Sequence, residues 1–162
     1  MGGHTVVAKL IQDYGTQEQK DRYLPRMATG EVRATMALTE PGAGPTSRRC
    51  APSPAVARTA TTWSTGARRG SPTRHSSLVA LLCKTDPGAS PAHTGISILL
   101  VDKERLDGHG ASEPDTGGGL TVSRDLPKLG YKGVESCELV IEGCGSRPTR
   151  SSAASRVRVS RR

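Results

Sequence analysis

The sequence predicts an α+β chain, with short N-terminal helices followed by a larger antiparallel β-domain. Three observations carry that prediction. Apolar residues recur at helical spacing as far as Met27, alternate with polar ones from Glu31 to Thr39, and then gather in short strand-like segments between Leu78 and Glu142. Any such pattern disappears from two Arg-, Pro- and Ser-rich tracts, 45–73 and 145–162, which read as disordered low-complexity segments.

The first helix is marked by Val6, Val7, Leu10 and Ile11 and ends at Gly15, a natural residue after a helix C-terminus. Thr16-Gln17-Glu18-Gln19 then reads as a capping box: the Thr16 hydroxyl and the Gln19 side chain satisfy the first free amides. The second helix carries Tyr23, Leu24 and Met27 on one face and is expected to break near Pro25. From Glu31 to Thr39 the period changes to two. Val32, Ala34, Met36 and Leu38 alternate with Arg33, Thr35 and Ala37, as in a half-buried strand. Further strands are expected at Leu78–Lys84, Gly95–Asp102 and Glu138–Glu142, with a weaker one at Leu120–Arg124. The connections Asp86–His93 and Asp107–Gly119 are loops rich in Gly, Pro, Asp and Ser.

The formal charge of +8 would ordinarily point to an acidic partner. Its distribution says otherwise. The two tracts hold five and six Arg with no Asp or Glu, so the rest of the chain is mildly acidic, at −3. An Arg-rich nucleic-acid-binding protein is the rival from another class, but such arms normally interleave aromatics, and only Trp63 is available. No run approaches the roughly 18 apolar residues of a membrane span, and Met1-Gly2-Gly3-His4 lacks the regions of a signal peptide. Cys50, Cys83, Cys137 and Cys144 show no ligand spacing and are expected to be free thiols in a reducing compartment, taken as the cytoplasm, with no metal site. His4, His75, His93 and His109 are expected to play surface roles.

The segment Tyr14 to Lys20, Tyr23-Leu24-Pro25 and Gly30-Glu31 resembles the end of the N-terminal helical domain of acyl-CoA dehydrogenases. Met36-Ala37-Leu38-Thr39-Glu40-Pro41-Gly42-Ala43-Gly44 resembles that family's ALTEPGAGSD flavin-binding segment. Lys84 to Pro87, Gly95-Ile96-Ser97, Lys128-Leu129-Gly130 and Glu138 to Glu142 resemble its middle-domain strands in the same order. The likeness covers residues 4–44 and 74–144. It implies a remnant of the helical domain at 1–30, an incomplete antiparallel β-barrel or sandwich-like middle domain at 31–144, and a disordered tail at 145–162.

The resemblance implies FAD as cofactor, with Met36, Ala37, Leu38, Thr39 and Gly44 along the pyrimidine side of the ring. A strand turning sharply through Pro41 to Gly44 offers backbone amides and the Thr39 hydroxyl to a flat, polar-edged ligand, and glycine permits the close approach. The implied reaction oxidises an acyl-CoA thioester to the 2,3-enoyl-CoA, and an electron-transfer flavoprotein takes the electrons. No catalytic residue is assigned: the family's base comes from a helical C-terminal domain that these residues do not include. Glu40, Glu135, Glu138 and Glu142 match non-catalytic positions, and Lys132 and Ser136 receive no role. Family members form homo-oligomers through the helices not represented here, so no oligomeric state is assigned.

The aperiodic tracts look translated out of frame. Ala67 to Thr73 can be encoded by GCA-AGA-CGT-GGA-TCA-CCA-ACG, whose shifted frame reads K-T-W-I-T-N, the motif the family carries after a basic stretch. Pro45 through Ala51 permits D-L-Q-A-L-R, and Gly145 to Thr149 permits V-P-A-D, in the same shifted frame. In place of the expected Ser-Asp stands Pro45-Thr46, and Gly70-Ser71-Pro72 replaces the Trp-Ile-Thr that supports the flavin's other side. The expected polypeptide is therefore inactive, with little or no stable FAD binding: a non-enzymatic structural fragment of an enzyme family.

Overall fold

The computed structural model describes residues 2–39, 66–69, 75–84, 88–103, 105, 119–130, 133, 135–142 and 154–157. Helix α1 spans Gly2–Tyr14 and α2 spans Gln17–Ala28. Seven strands follow: β1 Ala34–Ala37, β2 Gly66–Arg69, β3 Leu78–Lys84, β4 Ile96–Asp102, β5 Gly119–Asp125, β6 Cys137–Glu142 and β7 Ala154–Val157. A short 3-10 turn, Ala92–Gly95, leads into β4.

The capping box forms as the sequence predicts. The Thr16 hydroxyl accepts from the Gln19 amide at 3.3 Å, and the Gln19 side chain accepts from the Thr16 amide at 2.9 Å. Gly15 donates to the Ile11 carbonyl at 2.8 Å, and a Cβ at Gly15 would lie 2.5 Å from that oxygen. Close packing, with no left-handed backbone, is what demands glycine there. The expected break at Pro25 does not occur, and α2 continues to Ala28. Proline removes one amide near the C-terminal end, while Tyr23 and Met27 are buried on either side of it and hold both turns to the core. Gly30, at φ +80°, then turns the chain toward β1.

The strands form two sheets, ordered β1-β3-β4-β7 (sheet A) and β2-β6-β5 (sheet B). The centre of sheet A is the antiparallel β3–β4 ladder, registered from Leu78 opposite Asp102 to Lys84 opposite Ile96. Period-two alternation sends its side chains to two cores. Leu78, Ala80, Ile98 and Leu100 pack with Val7, Ile11, Tyr23 and Met27 of the helices. Val79, Leu81, Leu99 and Val101 pack with Val122, Cys137 and Leu139 of sheet B. The molecule is thus layered as helices, sheet A and sheet B. Each fully buried Leu, Ile or Val contributes about 1.5–3 kcal/mol, which compensates for the scarcity of aromatics.

This arrangement bears on four expectations. The antiparallel β-domain is mixed, because β1 runs parallel to β3, Ala34 opposite Leu78 through Ala37 opposite Leu81. Their long connection leaves direction open, whereas a tight turn would force reversal. Of the barrel and sandwich-like alternatives the described strands take the second: they make two stacked sheets, with no closed barrel among the described residues. Within the tracts expected to be disordered, 66–69 form β2, paired with β6, and 154–157 form β7, paired with β4; the rest of both tracts lies outside the described residues. Both are four-residue edge strands, held by main-chain hydrogen bonds that need no apolar period. Finally, the β1 region is not half-buried with Leu38 inside: Thr35 and Ala37 are buried and Leu38 is 42% exposed. β1 lies between the helices and sheet B, so both its faces meet protein.

The helices are tied to the ladder at its Asp102 end. Arg22 Nη2 lies 2.5 Å from Asp102 Oδ2, and the Tyr23 hydroxyl donates to the same carboxylate at 3.2 Å. The Arg22 guanidinium also sits 5.1 Å from the Tyr23 ring centre. Arg26 pairs with Glu31 at 2.7 Å, and its hydrogen bond to that carboxylate raises its already high pKa. Two predictions follow for thermal or urea unfolding. Thr16→Ala is expected to destabilise the fold by about 1 kcal/mol through loss of the cap. Tyr23→Phe is expected to cost about 1–2 kcal/mol, because a buried hydroxyl bonded to a carboxylate is removed while Arg22 keeps that carboxylate paired. An unchanged unfolding midpoint in either variant would contradict its assigned role.

Candidate functional site

The residues singled out for cofactor contact sit at the end of β1, and their surroundings change residue by residue. Met36 is half-buried and packs against the helix-side core, while Ala37 is fully buried in the core between the sheets. Leu38 and Thr39 are exposed. Ala37 is level with Leu81, so β1 stops three residues before β3 does. Two anchored residues thereby deliver two exposed ones to the sheet margin.

Chemically, this arrangement offers an apolar contact from Leu38 next to the Thr39 hydroxyl and main-chain polar groups. That set suits one edge of a flat ligand with a polar rim. Gly44, like the turn from Pro41 and the side chain of Glu40, lies outside the described residues. So do Lys132, His109, Cys50 and Cys144, the backbone of 106–118 in the second expected loop, and the side chains of Cys83, His93 and Glu142.

Two carboxylates of the later segments are engaged in ion pairs. Glu135 Oε1 lies 2.9 Å from His75 Nε2, and Glu138 Oε2 accepts from Arg124 Nε at 2.7 Å across the β5–β6 ladder. Cys137 is a buried free thiol whose Sγ donates to Asp125 Oδ1 at 3.2 Å. Among the described residues no group of three or more His, Cys, Asp or Glu could hold a metal ion. No described helix is long and apolar enough to cross a membrane.

His4 corrects the expectation of a surface histidine. It is half-buried in α1, with Nε2 3.2 Å from the Met27 carbonyl and Nδ1 3.2 Å from the Ala34 amide. The amide can only donate, so Nδ1 accepts and Nε2 carries the proton to Met27. The sequence held a signal for this: His4 precedes Val7 and Ile11 at helical spacing, on the buried face.

Comparison with known proteins agrees with the motif order. The model of the acyl-CoA dehydrogenase N-terminal domain matches residues 1–31. The acryloyl-CoA reductase (NADH) of Anaerotignum propionicum is 32% identical over 142 residues, which make up 87% of this chain and 33% of that protein. The mitochondrial isovaleryl-CoA dehydrogenase of Solanum tuberosum is 30% identical over 151 residues, 88% of this chain and 32% of that one. The crystal structure of an acyl-CoA dehydrogenase from Geobacillus kaustophilus superposes with a TM-score of 0.66 at 30% identity, covering 90% of this chain and 35% of the other. Butyryl-CoA dehydrogenase from Megasphaera elsdenii shares the fold at a TM-score of 0.67 and 20% identity, over 90% of this chain and 34% of its own. The chain spans about a third of the length of these relatives. With its motifs in family order, an N-terminal-domain match and a shared fold at 30% identity, the chain belongs to the acyl-CoA dehydrogenase family.

Proposed function

We propose that these residues form one edge of the FAD site of an acyl-CoA dehydrogenase, the family that oxidises an acyl-CoA thioester to the 2,3-enoyl-CoA. The observation that supports this reading is the division of the ALTEPGAG-like segment into half-buried Met36 and buried Ala37, followed by exposed Leu38 and Thr39. In this reading Met36 and Ala37 fix the backbone, Leu38 lies along the ring, and the Thr39 hydroxyl and nearby amides, with Gly44, meet its pyrimidine edge. FAD, when bound, supplies the hydride acceptor. Acyl-CoA and an electron-transfer flavoprotein are the proposed partners, supported by relatives named as CoA-thioester dehydrogenases. A reducing compartment, here the cytoplasm, is supported by the free Cys137 thiol.

The 162-residue polypeptide by itself is proposed to be inactive. Glu135 and Glu138 are committed to His75 and Arg124, and Gly70-Ser71-Pro72 stand where the family carries Trp-Ile-Thr. The out-of-frame origin of 45–73 and 145–162 belongs to the same proposal. Backbone pairing of β2 and β7 is compatible with it, since edge pairing is tolerant of side-chain identity.

Expression and purification of the polypeptide tests the first part. The expected product is colourless and turns over no acyl-CoA; stoichiometric visible flavin absorbance with turnover would overturn inactivity. Sequencing the DNA across codons 44–75 and 143–146 is expected to reveal frame changes, and intact frames in a longer homologous gene would refute them. In a frame-restored gene, flavin binding is expected to return. There Thr39→Ala should weaken FAD affinity about five- to tenfold, the worth of one hydrogen bond, at an unchanged melting temperature. Equal affinity would remove Thr39 from the site.

A further inference from the structure

We propose that His4 is the positioning residue for the strand that carries the flavin-edge segment, an inference that rests on the reading of Met36–Thr39 given above. Among the described residues β1 is an edge strand of sheet A, paired with β3. The Arg33 carbonyl points into the sheet, accepting from the Ser77 and Leu78 amides at 2.8 and 3.1 Å. The C=O and N–H of one trans peptide point in opposite directions. The Ala34 amide, on the same peptide unit, therefore points out of the sheet, away from β3. His4 Nδ1 receives it instead.

The same ring donates through Nε2 to the Met27 carbonyl in the last turn of α2. One side chain thus grips both sides of the Gly30 turn that joins α2 to β1. It satisfies an outward-facing edge donor that would cost about 1–3 kcal/mol if buried unmet. Its neighbour Gly3 lies against the strand, an added Cβ falling 3.9 Å from both the Thr35 Cα and the Met36 nitrogen. The first turn of α1 is therefore laid along the outer edge of β1. Ala34 is two residues from Met36, so the point at which His4 holds the strand sets where Leu38 and Thr39 emerge.

Amide hydrogen exchange and nitrogen-15 NMR of the full chain test this. His4→Ala is expected to lower protection at Ala34 about tenfold and to shift the amides of Thr35 to Thr39, leaving Val122 and Leu139 in sheet B unmoved. His4→Gln, whose amide both accepts and donates, is expected to restore much of that protection. Unchanged exchange at Ala34, or equal loss in both sheets, would overturn the assignment. Should His4→Ala fail to fold, the ring nitrogens of His4 in the unaltered chain decide: protonation at Nε2 with Nδ1 bare supports the role, and the opposite tautomer ends it. Flavin titration of frame-restored protein reports separately on the reading beneath the inference. No flavin response there, with the exchange results intact, rejects that reading and leaves the strand-positioning role of His4 standing.

Discussion

The β3–β4 ladder is the constraint on which every other layer depends. Its seven registered pairs put one set of side chains under the helices and the intervening set against sheet B. A slip of one residue would exchange the two sets, placing Val79 and Leu81 under α1 and α2 and sending Leu78 and Leu100 toward sheet B. Both cores contain residues from both strands, so neither can tighten without the other. The helices, β1 and sheet B are in this sense fitted to a single pairing event.

Much of this was legible in the sequence. β3 and β4 show as runs of apolar residues because they are buried on both sides, and Thr16 with Gln19 announces the start of α2 through purely local chemistry. What was hidden is non-local. The direction of β1 depends on its connection to β3, which no residue within Ala34–Ala37 encodes. β2 and β7 are held at sheet edges by backbone groups, which leave no trace in side-chain periodicity. The His4 bonds span 23 and 30 residues of sequence, beyond the reach of any pattern read within one helix. At the candidate site simple alternation placed Leu38 inside, whereas it is exposed. Alternation assumes one buried face, and β1 has protein on both.

The relatives align over 142 and 151 residues of the 162, so the match takes in part of the tracts 45–73 and 145–162. The ladder, the capped helix and the end of β1 rest on residues outside those two tracts, whereas β2 and β7 lie within them. A sheet edge asks only for an extended backbone with free amide and carbonyl groups. Recognition of a cofactor or substrate asks for particular side chains at particular points, a far narrower demand.

Several described attachments of the central ladder meet at one of its ends. Arg22 and Tyr23 hold Asp102, the Arg33 carbonyl receives the amides leading into Leu78, and Lys103 reaches the Ser76 carbonyl at 3.0 Å and the Ser77 carbonyl at 2.9 Å. All of these gather where β3 begins and β4 ends. The opposite extremity, Lys84 beside Ile96, is the mouth of the connecting hairpin. Pinned at its base to the helices, the pair is closed at the other extremity by its own loop, and it is toward that loop that Leu38 and Thr39 emerge.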